Sequence, residues 1–401
     1  MPPRSAPVRG LVALSARLLA LGLLAACAAP AAAPSGKPAP AAAAAAPAAS
    51  APANQPEGWD ALVAAARQEG TVALLGAPGQ AIRQVLVDEF EKAYPGIKVE
   101  FNSGRMPEQW PRIQAERAAG RYLLDVNVDG TSSTPGTLKP AGAVAALDSL
   151  LVLPEVRDTS AWLEDRLWWA DSDPPYGTLS FQGSVQLIVA YNKNLVDPAQ
   201  FHSYWDLLDP KWKGKMVATD VRAGIVGGVS SRFVYQHPDL GPAFLERLFG
   251  DTDLTLSTDQ RQLVDWLAQG QYALGLFLSP NSALDAIAQG LPIDFVRGDQ
   301  WKEGAPIGPS TGGVTVLQPA PHPNAAKVFV NWLLSRDGQL AWQRHMQAPS
   351  LRIDIPKDGV YPALVPTPGQ HYVDGGTEAF GSLRFEAIGD VITRGLEKRG
   401  R

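Results

Sequence analysis

Side chains able to carry covalent or metal chemistry are few and far apart in this chain. Five histidines, His202, His237, His322, His345 and His371, are scattered through its second half, and Cys27 is the only cysteine. No His-Glu-x-x-His or Gly-x-Ser-x-Gly pattern occurs, and one cysteine can supply neither an internal disulfide nor a metal-binding pair. What recurs is a polar turn after a short apolar run. Gly76-Ala77-Pro78-Gly79-Gln80 follows Thr71 to Leu75, and Asp129-Gly130-Thr131 follows Leu123 to Val128. Asp220-Val221-Arg222-Ala223-Gly224 follows Gly214 to Thr219, and Ser279-Pro280-Asn281-Ser282 follows Tyr272 to Leu278. Turns at strand carboxyl ends are where open α/β sheets bind ligands. Their chemistry is hydrogen bonding, not bond cleavage. Carboxylates for a hydrolase can still meet in space, so that alternative stays open.

The elements that must carry these turns are legible from periodicity. Trp59, Leu62, Val63 and Ala66 recur at helical spacing, and Gly70 stops the helix. A strand from Thr71 to Leu75, a helix from Ala81 to Tyr94 ended by Pro95-Gly96, and a strand from Ile97 to Phe101 make a βαβ unit, which implies a parallel sheet. A helix at Pro111 to Ala119 and a strand at Leu123 to Val128 extend it. A second series starts after Val185 to Asn192 and contains helices at Pro242 to Phe249 and Thr258 to Ala268. The segment Gly312 to Leu317 and the helix Ala325 to Leu334 return the chain to the first series. Beyond Gln347 the Pro- and Gly-rich tail reads as loops with one last helix near Leu383 to Leu396.

At the amino end Arg4 and Arg9 precede the apolar run Leu18 to Leu24, too short to span a bilayer, and Ala25-Ala26-Cys27 follows. This pattern is expected to be an export signal. Leu24-Ala25-Ala26-Cys27 resembles the lipobox of bacterial lipoproteins, which implies a lipid on Cys27. From Ala28 to about Pro56 the chain is almost all Ala and Pro, a composition expected to act as a flexible tether. The remaining part, about 345 residues, is long enough for two lobes. The formal charge of −5 comes with no basic run, so nucleic acid is not an expected partner.

Several segments together resemble the type 2 periplasmic-binding proteins, in the branch of extracellular solute-binding proteins that includes the ferric-iron binders. They are Glu89 to Val99, Leu138-Lys139-Pro140-Ala141-Gly142, Val189-Ala190-Tyr191-Asn192, Trp205 to Lys215 and Ala325 to Ser335. The resemblance implies an α/β, two-lobed type 2 periplasmic-binding fold with a hinge and an interlobe cleft. Its expected parts are a signal peptide (1–27), a tether (28–56), lobe 1 (57–190 plus 305–401) and lobe 2 (191–304). The hinge is expected near Ala190 to Asn194 and near Arg297 to Gly312. Iron-binding members hold the metal with a His, a Glu and a Tyr pair. The matching positions here fall near Gly79, Gly130 and Asn281-Ser282, which are poor donors for a hard cation.

In the turns that match the family's ligand positions, Gly79 and Gln80 offer backbone amides at a helix start. Arg105, Asp129, Thr131, Asp220, Arg222 and Asn281 offer polar side chains. The alternatives are a surface ion pair or strand-end cap for Arg105 and Arg222 and an Asx-turn for Asp129. Trp162, Trp168, Trp169, Tyr176 and Phe181 either stack on a planar ligand or pack in the core. The expected function is that of a monomeric, lipid-anchored binding protein on the periplasmic or extracellular side. It would carry no cofactor or resident metal, and would pass a small organic or oxyanionic solute to ABC-transporter permease subunits. A ferric-iron binder, a receptor that presents its ligand to a membrane sensor, and an extracytoplasmic hydrolase are the alternatives.

Overall fold

The computed structural model describes residues 58–132, 134–223 and 226–399. Cys27, the export signal and the tether lie outside the described residues. The first helix, Trp59–Glu69, buries Leu62, Val63 and Ala66 against the helix Pro323–Leu334 and ends at Gly70 in the left-handed conformation (φ 74°). The Leu62 and Val63 side chains each contribute about 1.5–3 kcal/mol. Strands β1 (Thr71–Gly76), β2 (Lys98–Ser103) and β3 (Val126–Asp129) follow, with β1 parallel to both neighbours. Between β1 and β2 runs a continuous helical stretch, residues 80–93, whose middle, Gln84–Glu89, is wound more widely as a π-helix. The βαβ reading is therefore correct.

Strands β4 (Trp168–Trp169) and β5 (Thr178–Ser180) complete one edge of this sheet, and the chain then leaves it through β6 (Ser184–Val185). A second sheet is built from β7 (Val189–Asn192), β8 (Met216–Thr219), β9 (Thr255–Ser257), β10 (Leu274–Leu276) and β11 (Ile293–Phe295), in the order β11-β7-β10-β8-β9. The chain comes back through β12 (Pro306–Gly308) and inserts β13 (Gly313–Val316) antiparallel between β3 and β5, giving the six-stranded order β2-β1-β3-β13-β5-β4. These are two α/β lobes joined by two crossings.

The crossing strands β6 and β12 pair with each other, Ile307 opposite Val185, and β14 (Val373–Asp374) adds to β12 in parallel. This three-stranded sheet is the link between the lobes. The second expected hinge segment contains β12. The first needs correction: Ala190 to Asn192 is a strand inside the second sheet, paired on both sides, and the crossing lies earlier, at Ser184–Val185. The apolar run from Val185 to Asn192 looks like one strand in sequence, but it divides between two sheets.

The final helix, Phe385–Arg399, also sits differently from the expected division. It packs on Gly241–Asp251 and buries Ile388, Val391 and Ile392 in the core of the second lobe. Glycines make the approach possible, since a Cβ on Gly395 would lie 2.6 Å from Glu246 O. The tail is thus a strap: it leaves the first lobe, joins the linking sheet as β14, and finishes on the second lobe.

Buried polar groups fix this arrangement. Asp125, fully buried, accepts hydrogen bonds from the amides of Ala73 and His322, both at 2.7 Å, and lies 2.8 Å from His322 Nδ1. It ties the loop before β3 to β1 and to the return segment. Asn331 uses its whole amide, accepting from Val152 N and Leu153 N and donating to Leu150 O and Lys327 O. Buried polar groups satisfied in this way hold a structure in register.

Candidate functional site

The carboxyl ends of β1 and β3 are neighbours, because Gly76 pairs with Val128. Gly76 has no room for a side chain, as a Cβ would fall 2.7 Å from the Phe101 ring. Gly79, with φ 147°, is the residue before the helical stretch begun by Gln80, and both are exposed. Arg105 precedes the helix Met106–Ala118 and reaches Asp129 at the end of β3, Nη1 to Oδ1 3.2 Å. Asp129 is almost fully buried while half of the Arg105 side chain is exposed. Gly79, Gln80, Arg105, Asp129 and Thr131 therefore share one edge of the first sheet, and the Arg105–Asp129 pair satisfies both members.

Across that edge runs a row that sequence reasoning did not identify. Asp129, Gly313 and Ser180 are lateral partners on β3, β13 and β5. One step back on the same face stand Asn127, Thr315 and Thr178, with Thr315 Oγ1 2.7 Å from Thr178 Oγ1 and 3.2 Å from Thr134 Oγ1. Side chains alternate faces along a strand, so this face is polar while Val126, Val128, Leu179 and Val314 fill the core on the other. Gly313 must be glycine, since a Cβ there would meet Asp129 O at 2.6 Å and the Thr131 methyl at 2.7 Å.

The strap rests on this row. Thr131 Oγ1 donates to Gly376 O at 2.6 Å, Gly375 N donates to Ile307 O, and Glu378 N donates to Ala170 O. A Cβ on Gly376 would lie 3.0 Å from Ser180 Oγ, and one on Gly375 would lie 2.6 Å from the side chain of Val229, in the helix Gly228–Gln236 of the second lobe. The stretch Asp374-Gly375-Gly376 is thus wedged between the lobes beside their link. Asp374 Oδ1 accepts from Gly376 N at 2.8 Å. Burial pushes the Asp374 carboxyl up to about 6 against the Gly376 amide and the Arg166 charge, which lower it, while Glu164 adds to the rise. The doublet Gly375-Gly376 was the one trace of this in the sequence.

In the second lobe, Arg222 donates twice to Asp220, Nε to Oδ1 at 2.8 Å and Nη2 to Oδ2 at 2.7 Å, and touches Thr393 Oγ1 at 3.4 Å. These bonds hold the Asp220 carboxyl below the usual carboxylate range and raise the Arg222 guanidinium. Asn281 is exposed on the first turn of the helix Pro280–Ala288. Gln260, also missed, ties the turns together by donating to Thr219 Oγ1 and accepting from Ser279 N. Among the described residues, the side-chain bonds of Arg105, Asp129, Asp220 and Arg222 stay within their own lobes; it is Thr131, through the strap, whose partner bridges toward the other.

Three members of the aromatic group are core. Trp162, Trp168 and Phe181 are fully buried, and the two indoles donate to Val156 O and Leu163 O. Trp169 and Tyr176 stack on each other at 5.1 Å. A cavity of about 870 Å³ lies between the second lobe and the strap, lined by residues including Tyr191, His202, Asp294, Trp301 and Tyr361. None of the candidate turn residues lines it. Among the described residues, no three His, Cys, Asp or Glu side chains gather as metal ligands.

Two α/β lobes, two crossings and polar turns at the sheet ends define a two-lobed binding architecture. A family model described as bacterial extracellular solute-binding protein matches residues 73–340. The chain belongs to that family. It is 26% identical over 277 residues to iron uptake protein A1 of Synechocystis, a match covering 62% of this chain and 66% of that protein, just under two thirds of its length. Its fold is similar to that of iron-bound HitA from Pseudomonas aeruginosa, with TM-score 0.56, 20% identity, and 81% of this chain and 99% of that one covered. It is also similar to AfuA from Actinobacillus pleuropneumoniae, a structure with fructose-6-phosphate bound, at TM-score 0.53, 18% identity and coverage of 82% and 99%.

Proposed function

We propose that this protein is the solute-capturing lipoprotein of an ABC-type importer, held in the cell envelope through Cys27 and working on its periplasmic or extracellular side. Its lobes, one centred on residues 58–180 with the return segment and the other on 189–295 with the final helix, rotate about β6 and β12. They close over a small organic or oxyanionic solute, and the shut form is what the permease subunits recognise. A ligand shifts such an equilibrium only by contacting the shut form better than the open one. The observation that carries this reading is the presence of polar turns at the carboxyl edges of both sheets, Gly79 to Thr131 in one lobe and Asp220 to Asn281 in the other, with β6 and β12 as the crossing strands.

Iron in the names of two relatives favours a second reading, capture of ferric iron or its complexes. Gly79, Gly130 and Asn281 at the matching positions weigh against direct coordination, and a chelated form would need no protein donor set. A thermal-shift screen across sugars, carboxylates, phosphonates, polyamines and ferric citrate separates the two. A true ligand at 100 times its dissociation constant stabilises by about 2.7 kcal/mol. Absence of any shift across the whole panel would defeat the binding reading.

A further inference from the structure

Resting on the solute-capture reading, we propose that Asp374, carried into the cleft by the strap, contacts the solute directly together with Ser180, and that the solute group they hold is a protonated amine.

Asp374 is 9% exposed and Ser180 is 1% exposed, and among the described residues neither Asp374 Oδ2 nor Ser180 Oγ has a hydrogen-bond partner. Both flank Gly376, since a Cβ on that residue would lie 3.0 Å from Ser180 Oγ and 3.1 Å from Asp374 Oδ1. The Ser180 hydroxyl and the Asp374 carboxyl, whose Oδ1 is taken by Gly376 N, therefore stand beside the same residue, where the strap passes between Thr131 of the first lobe and Val229 of the second. A buried carboxylate left without a cation is costly, and proteins ordinarily pair it.

Three arginines near the junction are committed elsewhere, and a fourth, Arg232, in the helix whose Val229 touches Gly375, lies over the Phe385 ring with its Nε unpartnered and makes no bond to Asp374 among the described residues. Arg105 is held by Asp129 and Arg222 by Asp220. Arg166 donates to Glu164 and lies 3.6 Å above the Trp168 ring. None of them bonds Asp374. Of the charges that act on the Asp374 carboxyl, Arg166 is held by Glu164, so Asp374 has no bonded cation among the described residues, which favours a positive solute group. An ammonium supplies both the countercharge and donors for two acceptor oxygens. Burial of the unpaired carboxyl, which moves it up to about 6, agrees with a site that lacks its cation.

The test is calorimetric titration of the purified full chain at pH 7.5 with 1,4-diaminobutane, spermidine, glucose, phosphate and ferric citrate, repeated with Asp374→Asn and Ser180→Ala. The expected result is binding of at least one amine, weakened about 10- to 100-fold by Asp374→Asn and less by Ser180→Ala, since a hydrogen bond to a charged group exceeds a neutral one. The melting temperature of unliganded Asp374→Asn should be equal to or above that of the natural chain, which a purely structural carboxylate would not allow. If Asp374→Asn does not fold, undiminished amine binding by Ser180→Ala overturns the proposal. Amine binding unchanged in Asp374→Asn overturns it, as does failure of both amines to bind. Binding of glucose, phosphate or ferric citrate alone overturns the amine assignment while leaving solute capture intact, and failure of all five probes counts against both.

Discussion

Two buried charges in the last fifty residues are treated in opposite ways by this fold. The Arg352 side chain is 2% exposed and fully used: it donates to both oxygens of Asp354, to Glu155 O and to Leu334 O, and lies over the Trp162 ring. Asp374, nearly as deep, accepts one backbone N–H, and its other oxygen has no partner among the described residues. Arg352 lies inside the first lobe, where nothing has to open, and Asp374 lies between the lobes. A saturated charge locks packing, whereas the unsaturated one between the lobes is the group we propose for the solute.

Breaking the saturated site should give the largest effect. Arg352→Met leaves the Glu155 and Leu334 carbonyls facing an apolar group, and should lower unfolding free energy in a denaturant titration by about 3–5 kcal/mol. A loss below 1 kcal/mol would show that the network is not what holds this corner.

The unsaturated site should show itself in pH dependence. Asp374 is raised to about 6 when folded, against an ordinary value near 4, so between those two values the folded chain binds the extra proton. Its contribution is most favourable below about pH 4 and is lost as pH rises through about 6, by about 3 kcal/mol in all. Glu164 and Arg166 face the same carboxyl and act in opposite directions, and Glu89, Glu91 and Asp220 elsewhere have lowered values that give the reverse slope. The difference between the natural chain and Asp374→Asn isolates the one group: the variant should gain relative stability from pH 4 to pH 7. A flat difference would mean that Asp374 is paired in solution.

The smallest effect belongs to Arg222. Its pair with Asp220 is partly exposed, so Arg222→Ala should cost about 0.2–1 kcal/mol by thermal melting. A larger loss would make the pair structural and not a candidate contact.

The scaffold was legible wherever local pattern governs. Trp59–Glu69 follows from its apolar stripe and Gly70, and the strand-turn-helix-strand order from Thr71 to Ser103 fixed a parallel sheet. The turns at Gly79, Asp129 and Asp220 were visible because each ends an apolar run. Ser279 to Ser282 read as a turn because Pro280 masks a helix start, which Pro tolerates at its first position. Ser180 and Asp374 were not legible. Ser180 matters because β13 brings Gly313 between it and Asp129, and Asp374 because a Pro- and Gly-rich tail returns to pair with β12. Pairings made across such distances in the chain leave no mark on local composition.

The central claim is that the solute is held between the two sheet edges with the strap as part of the floor. Hydrogen–deuterium exchange of the full chain with and without a ligand found by titration tests it most directly. The account predicts slower exchange on binding in three places together: 129–131, 220–223 and 374–377. Protection confined to one lobe, or to the cavity beside Tyr361, would contradict it.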